Sequence, residues 1–270
     1  MTRLIFLIIF LAGCGYNIPA PQQREIKAET LVANRLTKHV FKTSELKIFS
    51  YTGNLKKCKK VYVFIEGDGL SWITPEQISD NPTPITPEAL KLTLKDKHKC
   101  RIYLARPCQY VKDKKCSYKY WSGYRFSKEV IQSYQEVLDI LKSKYNINSF
   151  VIIGFSGGGT VAALLSVFRN DVDLLVTFAG NLDIYKWCRI HHLSPLNNSM
   201  NPADYTNKLA NRKQLHFIGA EDKIVNKEVF FSYYNKFKNK NKIRYKILQN
   251  YKHNSDWSKL LKDIDKELLK

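Results

Sequence analysis

One stretch restricts the fold of this sequence more than any other: residues 148–167, which read "NSFVIIGFSGGGTVAALLSV". A short apolar run meets a serine packed among glycines, and residues that favour helix follow immediately. The apolar run at residues 150–153 predicts a buried strand. A buried strand that turns directly into a helix is typical of a sheet with helices packed against it.

The same alternation of strand and helix continues along the chain. Strands are predicted at residues 46–52, 61–65, 102–105, 150–153, 174–178, 214–218 and 243–248, and helices at 28–40, 86–97, 127–145, 160–168, 227–237 and 255–269. About thirty residues between Gly180 and Gln214, rich in Asn and Pro, are predicted to be irregular. We therefore expect an α/β fold with a mostly parallel central sheet and helices on both faces.

Residues 1–14, "MTRLIFLIIFLAGC", do not follow this pattern. Arg3 precedes an apolar run at residues 4–12, which is too short for a permanent membrane-spanning helix. Residues 11–14 resemble a bacterial lipobox. The resemblance implies cleavage before Cys14, which would then carry a diacylglyceryl group and an N-acyl chain and anchor the protein stably. The alternative is an ordinary secretory signal in which the cysteine is incidental.

These features divide the chain into three parts. We expect a lipoprotein signal peptide at residues 1–13, a lipid anchor and polar tether at residues 14–27, and a single domain at residues 28–270. The expected location is the cell envelope, facing the periplasm and anchored through Cys14. Gly15 follows Cys14 where an acidic residue would favour the inner membrane, so the outer membrane is favoured.

The cysteines that follow Cys14 can form disulfides, because an exported protein meets an oxidising compartment. Cys58 precedes the strand predicted at 61–65, and Cys100 precedes the strand at 102–105. If these strands are parallel neighbours, both cysteines lie at the same edge of the sheet and can bridge. Cys108 and Cys116 enclose a short polar loop and can form a second bridge. This pairing leaves Cys188 free, and other pairings remain open.

The formal net charge of +20 raises the question of a nucleic-acid partner. No nucleic-acid-binding motif is present, and an exported lipoprotein rarely meets nucleic acid, so we expect none. The densest basic stretch, residues 235–255, has no acidic residue between Glu228 and Asp256. It indicates either attraction to anionic lipid headgroups or simply a solvated lysine-rich loop.

The serine in the opening stretch has the sequence context of a catalytic nucleophile. Residues 154–158 form a G-x-S-x-G motif between a predicted strand and a predicted helix, which is the context of a nucleophile elbow. Small residues allow a tight turn that exposes the hydroxyl of Ser156. The alternative is a glycine-rich turn in a binding protein.

A nucleophilic serine requires a base and an acid that orients the base. Asp222 follows the strand predicted at 214–218, and His253 follows the last predicted strand. Both therefore lie at the carboxyl edge of the sheet, where ligands bind in open α/β folds. The rival acids are Glu221 and Asp256. The rival bases, His191 and His192, precede Asp222 and break the chain order Ser, Asp, His.

An oxyanion hole should accompany such a triad, and its donors should be backbone N–H groups. Gly157 supplies one, and the loop after the strand at 61–65 supplies the other, with Asp68 preferred over Gly69. The carboxylates of Glu66 and Asp68 oppose an oxyanion unless they point away or pair with a cation. Arg106 and Arg125 are the cations that we expect to pair with them.

Residues 154–158, Asp222 and His253, in this order, resemble the α/β-hydrolase superfamily over nearly all of the mature chain. The blocks "IEGDGLSW", "LARPCQY", "YWSGYRFS" and "TFAGNLDIYKW" are similar to a narrower group of proteobacterial lipoprotein α/β hydrolases. The resemblance implies an α/β-hydrolase fold with a short lid segment and a serine hydrolase activity, and it implies no particular substrate.

The expected function is cleavage of carboxylic ester bonds through an acyl-enzyme on Ser156. One alternative is an amidase or peptidase with the same triad, and another is a non-catalytic binding lipoprotein of the cell envelope. Intact Ser156, Asp222 and His253 favour an enzyme, because a scaffold does not need the three together.

The residues around the predicted site say little more about its ligands. Trp72, Trp121, Trp187 and the tyrosines at 118–124 can line an aromatic pocket, or they can simply pack in the core. No His, Cys and Asp residues have the spacing of a metal site, and no phosphate-binding loop is present, so we expect neither a metal nor a cofactor. The expected partners are a small-molecule or lipid-like ester and the membrane; no oligomeric state is indicated.

Overall fold

The computed structural model describes residues 18–111 and 113–269. The predicted signal peptide and Cys14 therefore lie outside the described residues. None of the helices in the described part combines the length and apolarity needed to cross a bilayer.

A single sheet forms the centre of the fold. Its strands are β1 (Thr37–Lys42), β2 (Lys47–Thr52), β3 (Lys60–Ile65), β4 (Arg101–Leu104), β5 (Ser149–Phe155), β6 (Val172–Phe178), β7 (Gln214–Gly219) and β8 (Ile243–Leu248). They lie side by side in the order β1-β2-β4-β3-β5-β6-β7-β8. Strand β2 is antiparallel to both of its neighbours, and the remaining pairs are parallel. The predicted fold class is confirmed.

Helices cover both faces of this sheet. They are α1 (Pro21–Val32), α2 (Glu88–Lys95), α3 (Lys128–Tyr145), α4 (Gly157–Phe168), α5 (Ile184–Ile190), α6 (Thr206–Leu209), α7 (Lys227–Tyr234) and α8 (Lys262–Leu268), with 3-10 turns at Tyr118–Trp121, Pro202–Asp204 and Trp257–Leu260. Successive residues of β3 point to opposite faces. Val63 packs in the cluster that contains α3, α4 and α7, whereas Phe64 packs in the cluster that contains α1, α2 and α8.

Three elements differ from the sequence prediction. The helix predicted at 28–40 ends at Val32, because Ala33 and Asn34 take positive φ values of 44° and 64°; the residues that follow form the edge strand β1. The closing helix predicted at 255–269 is divided between a 3-10 turn and α8. The segment predicted to be irregular contains α5 and α6, which are too short to give a clear periodic signal.

Helix α1 begins inside the segment that was predicted as a flexible tether. Pro21 occupies its first turn, where the missing N–H leaves no intrahelical bond unmade. Arg24 is only 3% exposed, and its guanidinium donates to the carbonyl oxygens of Asn81 and Thr83. The folded domain therefore includes residues 21–27, and the predicted boundary at residue 27 is corrected to Pro21 or earlier.

Both predicted disulfides are confirmed. Cys58 and Cys100 are bonded, with their Cα atoms 5.8 Å apart, because β3 and β4 are parallel neighbours and both cysteines precede them. Cys108 and Cys116 are also bonded. Cys188 is a free and buried thiol, and burial raises its pKa.

The two disulfides should contribute unequally to stability, because a cross-link restricts the unfolded chain more when it closes a longer loop. The sequence separation is 42 for Cys58–Cys100 and 8 for Cys108–Cys116. We expect replacement of both cysteines by serine to lower the free energy of unfolding by about 4 kcal/mol for the long loop and about 2.5 kcal/mol for the short loop. Urea titration of the two double variants measures this difference, and a larger loss for the short loop would contradict it.

Candidate active site

Ser156 lies at a sharp turn between β5 and α4. Its backbone has φ 52° and ψ −120°, a combination that a non-glycine residue rarely adopts. The turn is tight because glycine removes side-chain bulk: a Cβ on Gly154 would lie only 2.2 Å from the carbonyl oxygen of Gly158. Ser156 remains partly exposed, while its neighbours are buried. The strand, turn and helix therefore present the serine hydroxyl at the carboxyl edge of the sheet.

Asp222 and His253 are brought together at the same edge. Asp222 follows β7, His253 follows β8, and Nδ1 of the histidine lies 2.8 Å from Oδ2 of the aspartate. The other carboxylate oxygen accepts the backbone N–H groups of Ile224 and Val225 at 2.8 and 2.9 Å. The Asp222 side chain is completely buried. These contacts fix the carboxylate, and the carboxylate in turn fixes the imidazole.

The rival residues are occupied elsewhere. Asp256 accepts the N–H of Ser258 and caps a 3-10 turn. Glu221 is exposed, beside the buried Asp222. The ring of His191 contacts the carbonyl oxygen of Ile224 at 2.8 Å. Among the candidate acids, Asp222 alone contacts His253 in the described residues.

The His253 ring also lies close to the serine turn. It packs against Phe155, the residue before Ser156, with ring centroids 5.0 Å apart. No hydrogen bond joins the Ser156 hydroxyl to His253 within the described residues. Such catalytic hydrogen bonds are often long without substrate and tighten in its presence.

The loop after β3 passes directly beside Ser156. A Cβ on Gly67 would lie 3.4 Å from the Ser156 Cβ. Within the described residues, the N–H groups of Asp68 and Gly69 donate no hydrogen bond. Gly157 is the first residue of α4, so its N–H has no intrahelical acceptor and lies at the positive end of the helix dipole. The three predicted oxyanion donors therefore come from two segments that meet at the serine.

The carboxylate of Asp68 is held by two buried arginines. Its oxygens lie 2.7 Å from Nη1 of Arg106 and 2.9 Å from Nη1 of Arg125. Burial would raise the pKa of Asp68, but the two guanidinium groups outweigh burial and lower it. A Cβ on Gly157 would come within 2.2 Å of this carboxylate. The expected pairing of Asp68 with Arg106 and Arg125 therefore forms immediately next to Ser156.

The Glu66 carboxyl, in contrast, points away from Ser156 and toward helix α2. One of its oxygens accepts the N–H groups of Gly67 and Ala89, and the other accepts that of Leu90. Ala89 and Leu90 belong to the first turn of α2, whose dipole favours a carboxylate. Burial raises the pKa of Glu66 to about 7, although these hydrogen bonds act in the opposite direction. Glu66 thus ties the loop beside Ser156 to helix α2.

Two further side chains brace the site. Gln109 was not singled out in the sequence, and Trp187 was considered only as a pocket-lining or packing residue. Gln109 is fully buried; its amide donates to the Gly67 carbonyl at 3.1 Å, and its oxygen accepts the N–H of Arg106 at 3.0 Å. Trp187 donates to the carbonyl of Ile224 at 2.8 Å and lies under the Arg125 guanidinium. Neither residue has a local pattern that distinguishes it from an ordinary packing residue.

The aromatic residues singled out in the sequence divide between buried and exposed positions. Trp121 and Tyr120 are buried, and the Trp121 indole donates to the carbonyl of Ser79. Trp72 and Tyr118 are exposed. No group of three or more His, Cys, Asp or Glu residues able to hold a metal occurs in residues 18–111 and 113–269.

A family model described as serine hydrolase (FSH1) matches residues 77–253 of this chain. The matched region contains Ser156, Asp222 and His253. A comparison with curated protein sequences gives no match.

Solved structures of similar fold include several hydrolases. Est1E from Butyrivibrio proteoclasticus has a TM-score of 0.61 at 13% identity, over 86% of this chain and 98% of that chain. An esterase from Pyrococcus furiosus has a TM-score of 0.63 at 13% identity, over 93% and 94%. A serine hydrolase homologue from Coxiella burnetii has 0.57 at 12% identity, over 86% and 95%. These similarities show the α/β-hydrolase fold.

The buried carboxyl of Glu66 should make stability depend on pH. The pKa of Glu66 is raised in the folded protein to about 7. The protonated carboxyl therefore favours the folded state fully below the pKa of the unfolded chain, and this contribution is lost as the pH rises through 7. We expect the free energy of unfolding to fall by about 3 kcal/mol between about pH 4.5 and pH 8 because of this group. Urea titrations across this range should give a flatter profile for Glu66→Gln than for the wild type. Parallel profiles would contradict the assignment.

Proposed function

The chain belongs to the FSH1 serine hydrolase family, and we propose that it cleaves carboxylic esters through an acyl-enzyme on Ser156. The observation that supports this most directly is the contact of His253 with the buried carboxylate of Asp222, beside the strained turn that carries the serine. The resemblance in fold to a protein named as an esterase agrees with an ester as substrate.

In the proposed reaction, His253 takes the proton of Ser156 while the serine Oγ attacks the ester carbonyl carbon. The hydrogen bond from Nδ1 to Asp222 leaves Nε2 to act as the base and stabilises the imidazolium. Collapse of the tetrahedral intermediate breaks the ester C–O bond, and the histidine proton passes to the leaving alcohol. Water, activated by the same histidine, then attacks the acyl-enzyme and releases the carboxylic acid and the free serine.

The negative oxygen of the tetrahedral intermediate would be held by N–H groups of Gly157 and Asp68, with Gly69 as the alternative to Asp68. The start of helix α4 adds a favourable dipole. The Asp68 side chain is a carboxylate next to this position, so its two arginine partners are required to offset its repulsion of the oxyanion. One carboxylate between two guanidinium groups leaves the cluster with a net positive charge.

The proposed location is the periplasmic side of the cell envelope, with the lipidated Cys14 as anchor. The lipobox-like residues 11–14 support the anchor, and two disulfides are typical of an oxidising compartment. We propose a small-molecule or lipid-like ester as the substrate.

A fluorophosphonate probe, which reacts with activated serines, tests the proposed nucleophile. We expect one adduct on Ser156, found by mass spectrometry, and its loss in Ser156→Ala and His253→Ala. Ser143→Ala, an exposed serine on α3, is the matched control and should label normally. Ester hydrolysis should fall roughly 10⁴-fold in the two triad variants. An adduct that persists in Ser156→Ala would refute the assignment.

The arginines beside Asp68 provide a second test of the proposed reaction. We expect Arg106→Ala and Arg125→Ala each to lower kcat by roughly tenfold to a hundredfold, because an unneutralised carboxylate opposes the oxyanion. Asp68→Asn in the Arg125→Ala background should restore part of the loss by removing that charge. Arg189→Ala changes an exposed arginine on α5 and is the control. Unchanged kcat in both arginine variants would disprove the electrostatic role.

A further inference from the structure

The direction of helix α1 places its first turn at the same edge of the sheet as Ser156. Arg24 donates to the carbonyls of Asn81 and Thr83, and Lys27 donates to the carbonyl of Ile85. These acceptors lie in residues 66–87, the connection that leaves the carboxyl end of β3. The helix then runs to Val32, and β1 begins at the opposite edge, since its Thr37 pairs with Thr52 at the end of β2.

The acceptors of Arg24 are also close to the loop that follows β3 and carries Asp68 and Gly69. Pro82, next to Thr83, accepts the N–H of Leu70 at 3.1 Å. A Cβ on Gly69 would lie 2.1 Å from the same Pro82 carbonyl oxygen. The chain that precedes α1 therefore leaves the domain beside the loop that carries Asp68 and Gly69.

The connection between Cys14 and this point is short. Pro21 is seven residues after Cys14, so even a fully extended chain spans at most about 25 Å between them. With an acyl chain on Cys14, Pro21 would lie within that distance of the bilayer. The amino edge is separated from the carboxyl edge by the length of a strand, which is roughly 23 Å for the seven residues of β5.

Exposed apolar side chains flank the site on this edge. Residues 72–77 form an exposed loop, which is closed by an isolated β-bridge between Trp72 and Ile78. At its base, the Ser71 hydroxyl donates to the Asp68 carbonyl. Trp72 is 38% exposed and Ile73 is 39% exposed. Across the site, Ile224, two residues after Asp222, is 47% exposed.

We propose that Trp72, Ile73 and Ile224 form a docking surface for the bilayer, so that the catalytic site faces the membrane that holds the anchor. Tryptophan is favoured at the interface between water and lipid, and isoleucine gains by leaving water. The substrate class that follows is an ester whose acyl chain lies in the bilayer. This inference rests on the proposed hydrolase function and lipid anchor.

The opposite orientation would place the basic connection between α7 and β8 on the membrane. That connection, at residues 235–242, precedes β8 and so lies at the amino edge. Attraction of its lysines to anionic headgroups would turn the site away from the bilayer. The two orientations predict contact with lipid at different residues, so they can be distinguished directly.

The test uses the full chain in vesicles of phosphatidylethanolamine and phosphatidylglycerol that carry brominated acyl chains. A fluorophore is attached to Ile73→Cys at the carboxyl edge or to Asn241→Cys at the amino edge, each combined with Cys188→Ala. We expect the bromines to quench the fluorophore at position 73 and not at position 241. Quenching only at position 241, or at neither position in membrane-bound protein, would overturn the proposed orientation.

A functional arm uses Ile73→Asp, with Ile140→Asp as control because Ile140 on α3 is equally exposed at 40%. We expect Ile73→Asp to lower hydrolysis of a long-chain ester embedded in vesicles by roughly tenfold. Hydrolysis of a short soluble ester should stay unchanged in both variants. Equal rates of Ile73→Asp and Ile140→Asp on the embedded ester would contradict the docking surface.

The outcomes separate the docking surface from the functions on which it rests. Failure of the full chain to sediment with vesicles would remove the anchor and, with it, the orientation. Loss of fluorophosphonate labelling at Ser156 would instead disprove the hydrolase function while leaving the quenching result intact.

Discussion

The carboxylate of Asp68 beside Ser156 is the constraint on which the rest of the site depends. A negative charge next to an expected oxyanion is unfavourable, and it is tolerated here because Arg106 and Arg125 both contact it. These arginines belong to the connection between β4 and α3, so this connection must fold over the loop that follows β3. Arg125 also lies against Trp187, which donates to the Ile224 carbonyl beside Asp222. One series of contacts thus joins four connections around Ser156.

The loop that follows β3 is held rigid by its other neighbours. Glu66 holds the loop to the first turn of α2, and Gln109 holds the Gly67 carbonyl from the opposite side. Both side chains are buried, so a loop that moved would leave polar groups without partners, at a cost of roughly 1–3 kcal/mol each. The backbone N–H groups near Ser156 are therefore held in position before substrate binds, which is the condition for electrostatic stabilisation of a transition state.

Much of this arrangement could be predicted from where residues lie along the sequence relative to the strands. Asp222 and His253 were identifiable because each follows a strand of a parallel sheet, and Cys58 and Cys100 because they precede neighbouring strands. Other features depend on contacts across the fold that no local pattern records. Gln109 resembles any polar loop residue until Gly67 lies beside it. Helix α1 has little amphipathic character. It is held by the buried Ala28 and Val32 and by Arg24, whose acceptors are nearly sixty residues away. Its first residues, 21–27, were therefore predicted to be a tether.

Burial of Arg24 supports the proposed orientation of the domain at a membrane. A buried guanidinium is costly unless its donors are satisfied, and the carbonyls of Asn81 and Thr83 satisfy part of this requirement. If the first turn of α1 left this position, the Arg24 guanidinium and the carbonyls of Asn81 and Thr83 would lose their hydrogen bonds to each other. The exit point of the N-terminal segment is therefore fixed at the edge that carries Ser156. In the proposed orientation, the site would face esters in the bilayer directly, and the seven residues between Cys14 and Pro21 would limit how far the site stands from the lipid.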